Sequence, residues 1–431
     1  MGRSLVHVGS SLPPLKQLAA ETPPFERSQQ AMHNAQRVRT VAALGTAQTL
    51  AWASSYYLPA MLAPKMAADL GVSLPTVFMA FSLALVVSAF IGPVAGHAID
   101  RWGGRPVLLA TNFTFAAGLI GLAMADGPWG LFAAWAVIGI GMGSGLYEAA
   151  FAALVRLYGR DARGAITGIT LIAGFASTVG WPLSTLMEVQ FGWRGACLGW
   201  AAMHLFIGLP LNWSVARTAQ PAMQAESQDV EGTPPATPEV VDRPSLAAGL
   251  LALVFAITWF TSTAMAAHLP QLLQASGASL AVAVGIGALV GPAQVVGRVL
   301  EFSLLRRLSP LLSARMATLA HPVGAAILLV AGAPAAALFA VLHGAGNGVL
   351  TIAKGTLPLV LFGPQGYGAR QGFLMVPARI CQALAPALFG FCLARWGVGA
   401  LWLTAVLGAL AFGALMAMPR AGNPQARVSD S

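Results

Sequence analysis

The sequence predicts an all-α membrane protein of twelve transmembrane helices arranged as two six-helix, pseudo-symmetric halves. Three observations predict it. Hydrophobic residues make up 57% of the 431 residues and charged residues only 9%, whereas a soluble domain coats itself with roughly 25% charged residues. About twelve apolar stretches reach the roughly 20 residues that a helix needs to cross a bilayer. Short motifs of the first half also recur, in order, in the second. Inside hydrocarbon the backbone must satisfy its own hydrogen bonds, so helices are the structure these stretches take. The mean hydropathy of +0.71 agrees, and so do the 48 glycines and 28 prolines, both commoner in transmembrane helices than in soluble ones.

The elements follow in order. Residues 1–36 are polar, with Pro13-Pro14 and Pro23-Pro24 and no continuous apolar run. They read as a disordered tail rather than a signal peptide. Six spans near 41–63, 75–98, 107–126, 128–155, 164–187 and 194–213 make a first half over 37–213. Residues 214–244 carry Pro221, Glu226, Asp229, Glu231, Pro234, Pro235, Pro238 and Asp242, the composition of a flexible linker. Six more spans near 245–268, 279–302, 310–332, 335–361, 371–394 and 398–418 make the second half over 245–418. Residues 419–431 form a polar tail.

Orientation follows from the basic residues. Arg37 and Arg39 precede the first span, Arg101 and Arg105 follow the second, and Arg156, Arg160 and Arg163 follow the fourth. Arg306, Arg307 and Arg315 follow the eighth, and Arg420 and Arg427 the twelfth. The opposite loops hold little beyond Lys65, Arg194 and Arg395. Both termini and the linker are therefore expected in the cytoplasm, and with no eukaryotic targeting signal the membrane is expected to be a bacterial inner membrane. The net charge of +9 marks topology, not nucleic-acid binding. Cys197, Cys381 and Cys392 lie in apolar runs and imply no disulfide framework.

The halves echo each other. Tyr57-Leu58-Pro59 matches His268-Leu269-Pro270, and Gly71-Val72-Ser73-Leu74 matches Gly277-Ala278-Ser279-Leu280. Gly141-Met142-Gly143-Ser144-Gly145 matches Gly344-Ala345-Gly346-Asn347-Gly348. Parallel repeats of this kind put a central site between two bundles.

The loop after the second span reads GHAIDRWGGRPVLL, with Gly96, Asp100, Arg101, Gly103, Arg105 and Leu108 at its marked positions. It resembles the loop signature of the major facilitator superfamily, with Ala98 in place of a large apolar residue and Gly104 in place of a basic one. The resemblance covers roughly 40–418. It implies that this loop is a latch between conformational states and that the first, fourth, seventh and tenth spans line a central cavity. The physics of the latch is independent of the name: a carboxylate at a helix end pairs with a neighbouring helix's N–H groups or with arginine, and glycines allow close approach. In the second half Arg306 and Arg307 stand where Asp100 and Arg101 stand, with Glu301 nearby, so a second latch is not expected there.

Ionisable residues deep in a span are costly and are functional candidates by default. Arg298 in the eighth span and Arg379 in the eleventh each lie about 12–13 Å inside a helix end at 1.5 Å per residue. Guanidinium groups suit bidentate binding of carboxylate or phosphate. Lys354 in the tenth span is a third cation, and Glu148 in the fourth is the most isolated acid. A carboxylate in low dielectric gains proton affinity, which suits proton coupling; it equally suits a fixed counter-charge. Each candidate has a structural alternative: the arginines pair with Glu148 or helix carbonyls, and Lys354 snorkels. Tyr56 and Asn347 are further candidates for lining a pocket, Tyr56 with an interfacial alternative. An eighth-span arginine with an eleventh-span cation is similar to the oxalate/formate exchanger branch, and the arginine alone to monocarboxylate porters.

The expectation is a secondary transporter, working as a monomer, for a small organic anion held by Arg298, Arg379, Lys354, Tyr56 and Asn347. Glu148 takes the coupling proton, and Gly96, Asp100, Arg101, Gly103 and Arg105 form the latch. Proton-antiport efflux of drugs is the second transport reading. No P-loop and no clustered metal or triad residues occur, so neither ATP, cofactor, metal nor enzymatic activity is expected.

Overall fold

The computed structural model describes residues 24–215, 243–305 and 308–419. Most of the expected linker, the outer parts of both tails, and Arg306 and Arg307 lie outside the described residues. The first crossing is α1 (Pro24–Ser54) followed by α2 (Leu58–Asp69). Then come α3 (Leu74–Trp102), α4 (Gly104–Ala123), and a broken fourth crossing, α5 (Pro128–Gly145) and α6 (Tyr147–Tyr158). The fifth and sixth are α7 (Ala162–Ala173), α8 (Ala176–Met203), a π-helical turn His204–Gly208 and α9 (Leu209–Ser214). The second half is α10 (Pro244–Ala275), α11 (Leu280–Gly287) with α12 (Val290–Ser303), α13 (Pro310–Ala331), α14 (Ala336–Phe362), α15 (Tyr367–Trp396) and α16 (Leu401–Met416). The described residues contain no strand.

Several helices run on through their turns. α8 contains Gly192 at φ 72°, where the fifth crossing ends and the sixth begins. Only glycine adopts that backbone at little cost. Gly159 and Gly397, at φ 55° each, serve the same purpose between α6 and α7 and between α15 and α16. Counted this way the described residues make twelve crossings. α1 also begins at Pro24, inside the stretch expected to be tail, where Gln29, Ala31 and Gln36 are helix formers.

Glycines set how closely the crossings approach. Gly139 and Gly143 of α5 lie on Ala84, Ser88 and Ile91 of α3, while Gly344 and Gly348 of α14 lie on Val290 and Gln294 of α12. The repeat seen in the sequence is thus a repeated packing surface, but its register differs. Packing pairs Gly139 with Gly344 and Gly143 with Gly348, 205 residues apart in each case, two more than the offset that aligns the glycine motifs by eye.

The two halves meet along two antiparallel seams. In one, α3 runs beside α15, with Gly96 against Gly368, Gly92 against Gly372, and Ser82 Oγ donating to the Ala383 carbonyl at 3.3 Å. In the other, α12 runs beside α7. Both seams end at the face that carries the turns 102–104, 158–162 and 362–367 and the end of α12, called the first face below.

Candidate functional site

The glycine-rich end of α5 breaks the fourth crossing at Leu146, which is extended at φ −82° and ψ −166°. Gln48 of α1 donates to the Gly145 carbonyl at 2.7 Å and so satisfies a group at the break. The break places Glu148 in the first turn of α6, where the helix dipole favours a carboxylate. Glu148 Oε2 accepts from Arg379 Nη2 at 2.8 Å, and Arg379 Nη1 donates to Gln382 Oε1 at 2.9 Å, one turn along α15. The side chains of Arg379 and Glu148 are 4% and 14% exposed, so this is a buried ion pair between the halves.

Trp259 of α10 gathers the remaining charge. Lys354 Nζ lies 4.0 Å from its ring centroid and Arg379 Cζ 5.0 Å, both within cation–π range. Trp259 stacks on Trp52 at 6.2 Å, and Trp52 sits 4.9 Å from Tyr147. The cluster therefore draws on the first, fourth, seventh, tenth and eleventh crossings.

Arg298 stands slightly apart. It is buried, and its Nη1 donates to the Thr170 carbonyl of α7 at 3.2 Å. It packs over Gly174, where a side chain would collide with the guanidinium. Arg298 and Arg379 share no partner, but Arg298 is within electrostatic reach of Lys354 and Tyr147. Tyr56 lies in the break between α1 and α2, with its hydroxyl 3.4 Å from Thr263 Oγ1 across the halves. Asn347 is not with the cluster; it lines a small cavity inside the second half with His321 and His343.

The charges do not balance. Glu148 neutralises Arg379, while among the described residues neither Arg298 nor Lys354 has an ion-pair partner. Several buried polar atoms around the cluster also lack a protein partner. Trp52 Nε1, Trp259 Nε1, Arg298 Nε and Gln382 Nε2 are all donors; Gln48 Oε1 is an acceptor. A buried region rich in unpaired donors and cations is chemically disposed toward an anion.

At the first face the halves are tied twice. Asp100 caps the N-terminus of α15, its two carboxylate oxygens accepting from the Gly368 and Ala369 N–H groups at 2.9 and 2.8 Å. Gly96 makes that contact possible, because a Cβ there would overlap the Gly368 carbonyl. Gly103 ends α3 at φ 85°. Arg101 and Arg105 do not reach α15: they lie over Trp102 and Trp213, at 5.7 and 4.4 Å. A second contact joins the halves at this face, where the sequence offered no second Asp-Arg motif. Glu301 of α12 accepts from Arg163 of α7 at 3.2 Å, and these two residues sit 205 positions from Gly96 and Gly368. One seam closes with a glycine contact and the other, at the same place, with an ion pair. The search for an Asp-Arg motif missed it because the acid lies a turn earlier and its partner is on the other half.

Trp259 was also missed, since a tryptophan within an apolar run looks like core; its position mid-span, away from the interfacial belt where Trp normally concentrates, was the available signal.

Comparison with known proteins agrees with this architecture. The profile of the Major Facilitator Superfamily matches residues 44–332, and the chain belongs to that family. An uncharacterized 38 kDa protein from Thermoproteus tenax is 29% identical over 84% of this chain and 90% of its own length. Multidrug resistance protein MdtL of Salmonella heidelberg is 30% identical, over 42% of this chain and 45% of its own. Among solved structures, the E. coli fucose:proton symporter FucP superposes with a TM-score of 0.69 at 15% identity, covering 89% of this chain and all of that one. The human organic anion transporter MFSD10 does so at 0.64 and 18%, covering 88% and 99%. At such identities the likeness establishes the fold.

Proposed function

We propose that the chain is a secondary active transporter of a small organic anion, a mono- or dicarboxylate, working by alternating access and coupled to protons or to exchange. One observation carries this reading: three buried cations, Arg298, Lys354 and Arg379, accompany one carboxylate, and among the described residues two of them have no ion-pair partner. Buried charge is costly without a counter-charge, and a carboxylate substrate supplies one. In this reading Arg298 and Lys354 hold the anion, and the indole N–H groups of Trp52 and Trp259 line its path with Tyr56. Glu148 either takes the coupling proton or yields Arg379 to the substrate. The first face is cytoplasmic, with both termini, and the membrane is a bacterial inner membrane. The site is complete within one chain, which supports a monomer.

The test is uptake of radiolabelled formate, lactate, oxalate and succinate into proteoliposomes. Wild type takes up at least one of them. Arg298→Ala loses at least about tenfold, as removal of a charged hydrogen-bond donor worth about 1.5–3 kcal/mol requires. Undiminished uptake by that variant removes Arg298 from the site.

Efflux of drug-like compounds by proton antiport is the second reading. It is favoured by the similarity to MdtL and by the aromatic cluster of Trp52, Tyr56, Tyr147 and Trp259. Raised drug tolerance on overexpression, with no carboxylate uptake in vesicles, selects it.

A further inference from the structure

Inside the second half, between α13 and α14, two histidines face each other. His321 Nδ1 and His343 Nδ1 are 3.0 Å apart, and both rings are buried. Beside them is a cavity of about 30 Å3 lined by Thr258, Thr261, Thr318 and Asn347 among others. No described protein group reaches His321 Nε2 or Thr261 Oγ1, although both atoms are buried. A single water needs roughly 10–15 Å3 of such space and two to four polar partners, and this cavity offers both.

We propose that the His321–His343 pair, with the water-sized cavity beside it, is a proton-binding station separate from the Glu148–Arg379 pair. The hydrogen bond between the rings uses one Nδ1–H and one Nδ1 lone pair. In two neutral imidazoles, the ring that donates through Nδ1 has a bare Nε2, and the ring that accepts carries its hydrogen on Nε2. Whichever ring donates, the pair keeps one bare Nε2. A proton delivered by cavity water binds there, the pair becomes a monocation, and the bond between the rings stays intact. Release returns the proton to the water.

The cavity lining holds no acid and no other base. Charged groups on the surrounding elements are otherwise engaged or lie further along their helices. Arg315 of α13 donates twice to the Leu415 carbonyl, Glu301 of α12 pairs with Arg163, and Arg379 of α15 pairs with Glu148 of α6. Arg298 of α12 holds Thr170, and α10's His268 is bonded to the Pro386 carbonyl. α11 and α16 carry no ionisable side chain. The route onward lies on α14, where His343, Asn347, Thr351 and Lys354 share one face at spacings of four, four and three residues. A proton on the pair therefore faces along this stripe toward the unpaired Lys354. As a coupling site the station rests on the transport reading above; as a protonation site it does not.

The experiment is solid-state 15N NMR of the full chain, histidine-labelled, in lipid, from about pH 8 to about pH 4, which brackets the ordinary imidazole range. The expected result is two mutually hydrogen-bonded rings that take up one proton between them, with a water cross-peak to one ring nitrogen. His343→Gln removes the ring coupling, and Thr261→Val removes the water cross-peak while both rings remain. Rings that stay neutral throughout with no water contact overturn the station. In vesicles, proton-driven uptake of labelled oxalate or formate falls at least tenfold in His343→Gln and persists in His268→Gln, a histidine outside the pair; undiminished proton-driven uptake in His343→Gln overturns the coupling role. If wild type moves none of the carboxylates, the transport reading fails, and the spectra still decide the station.

Discussion

At the scale of single residues, the Glu148–Arg379 pair is the most exacting feature. Removing one partner of a buried pair leaves the other uncompensated and typically costs about 3–5 kcal/mol. Glu148→Gln and Arg379→Gln are each expected to lower the thermal unfolding midpoint in detergent markedly. The double variant is expected to lower it by less than the two shifts combined, and strict additivity would show that the two groups do not interact. The charged residues of the site were legible in the sequence because a single Arg, Lys or Glu within an apolar run stands out against its cost. Their partners were not. Arg379 meets Glu148 across 231 positions and Arg298 meets Thr170 across 128, and no local pattern specifies such distances. Asn347 shows the same limit: it is polar and mid-span, but it lines the cavity beside His321 and His343 rather than the cluster around Trp259.

At the scale of elements, close packing depends on a few missing side chains. Gly96→Ala is expected to lift α3 off α15 and to destabilise the protein by about 1–3 kcal/mol, the usual cost of overpacking. Gly71→Ala, in an open turn where nothing lies near the added carbon, gains no such clash and serves as the control, though its positive φ of 62° still adds some strain. Thermal shift assays on the pair separate contact from backbone effects. The number of crossings was legible because each needs a long apolar run. The breaks at 55–57 and at Leu146 were not, because hydropathy is continuous through them. What permits the second break is a hydrogen bond from another helix, Gln48 to the Gly145 carbonyl. The first crossing breaks while α10, its counterpart, continues through Pro270, so matching sequences did not guarantee matching helices.

At the scale of the whole molecule, the two ties at the first face differ in kind. Asp100 holds helix N–H groups, and Arg163–Glu301 is a pair with Arg163 29% exposed. With Arg163 partly exposed, salt reaches this ion pair and weakens it. Under the transport reading, removing either tie shifts the population away from the closed first face. A loss of about 1–2 kcal/mol in the cap corresponds to roughly a 5–30-fold shift. Spin labels at Trp102→Cys and Leu304→Cys, both exposed and on different halves, with the native cysteines replaced, read the separation directly. Asp100→Asn is expected to populate a longer distance at all ionic strengths. Glu301→Gln is expected to do so most clearly at low salt, and at high salt wild type is expected to approach it. Identical distance distributions in all three proteins would show that neither contact governs the closure.

Trp259 carries a consequence of its own. An indole excited by light shifts its charge across the ring, so its emission colour responds to nearby fields. With an ammonium at 4.0 Å and a guanidinium at 5.0 Å, this indole is a built-in voltmeter for the chamber. The difference spectrum between the wild type and Trp259→Phe isolates its signal from the other ten tryptophans. Arrival of a negatively charged cargo would then be visible as a wavelength change in unlabelled protein.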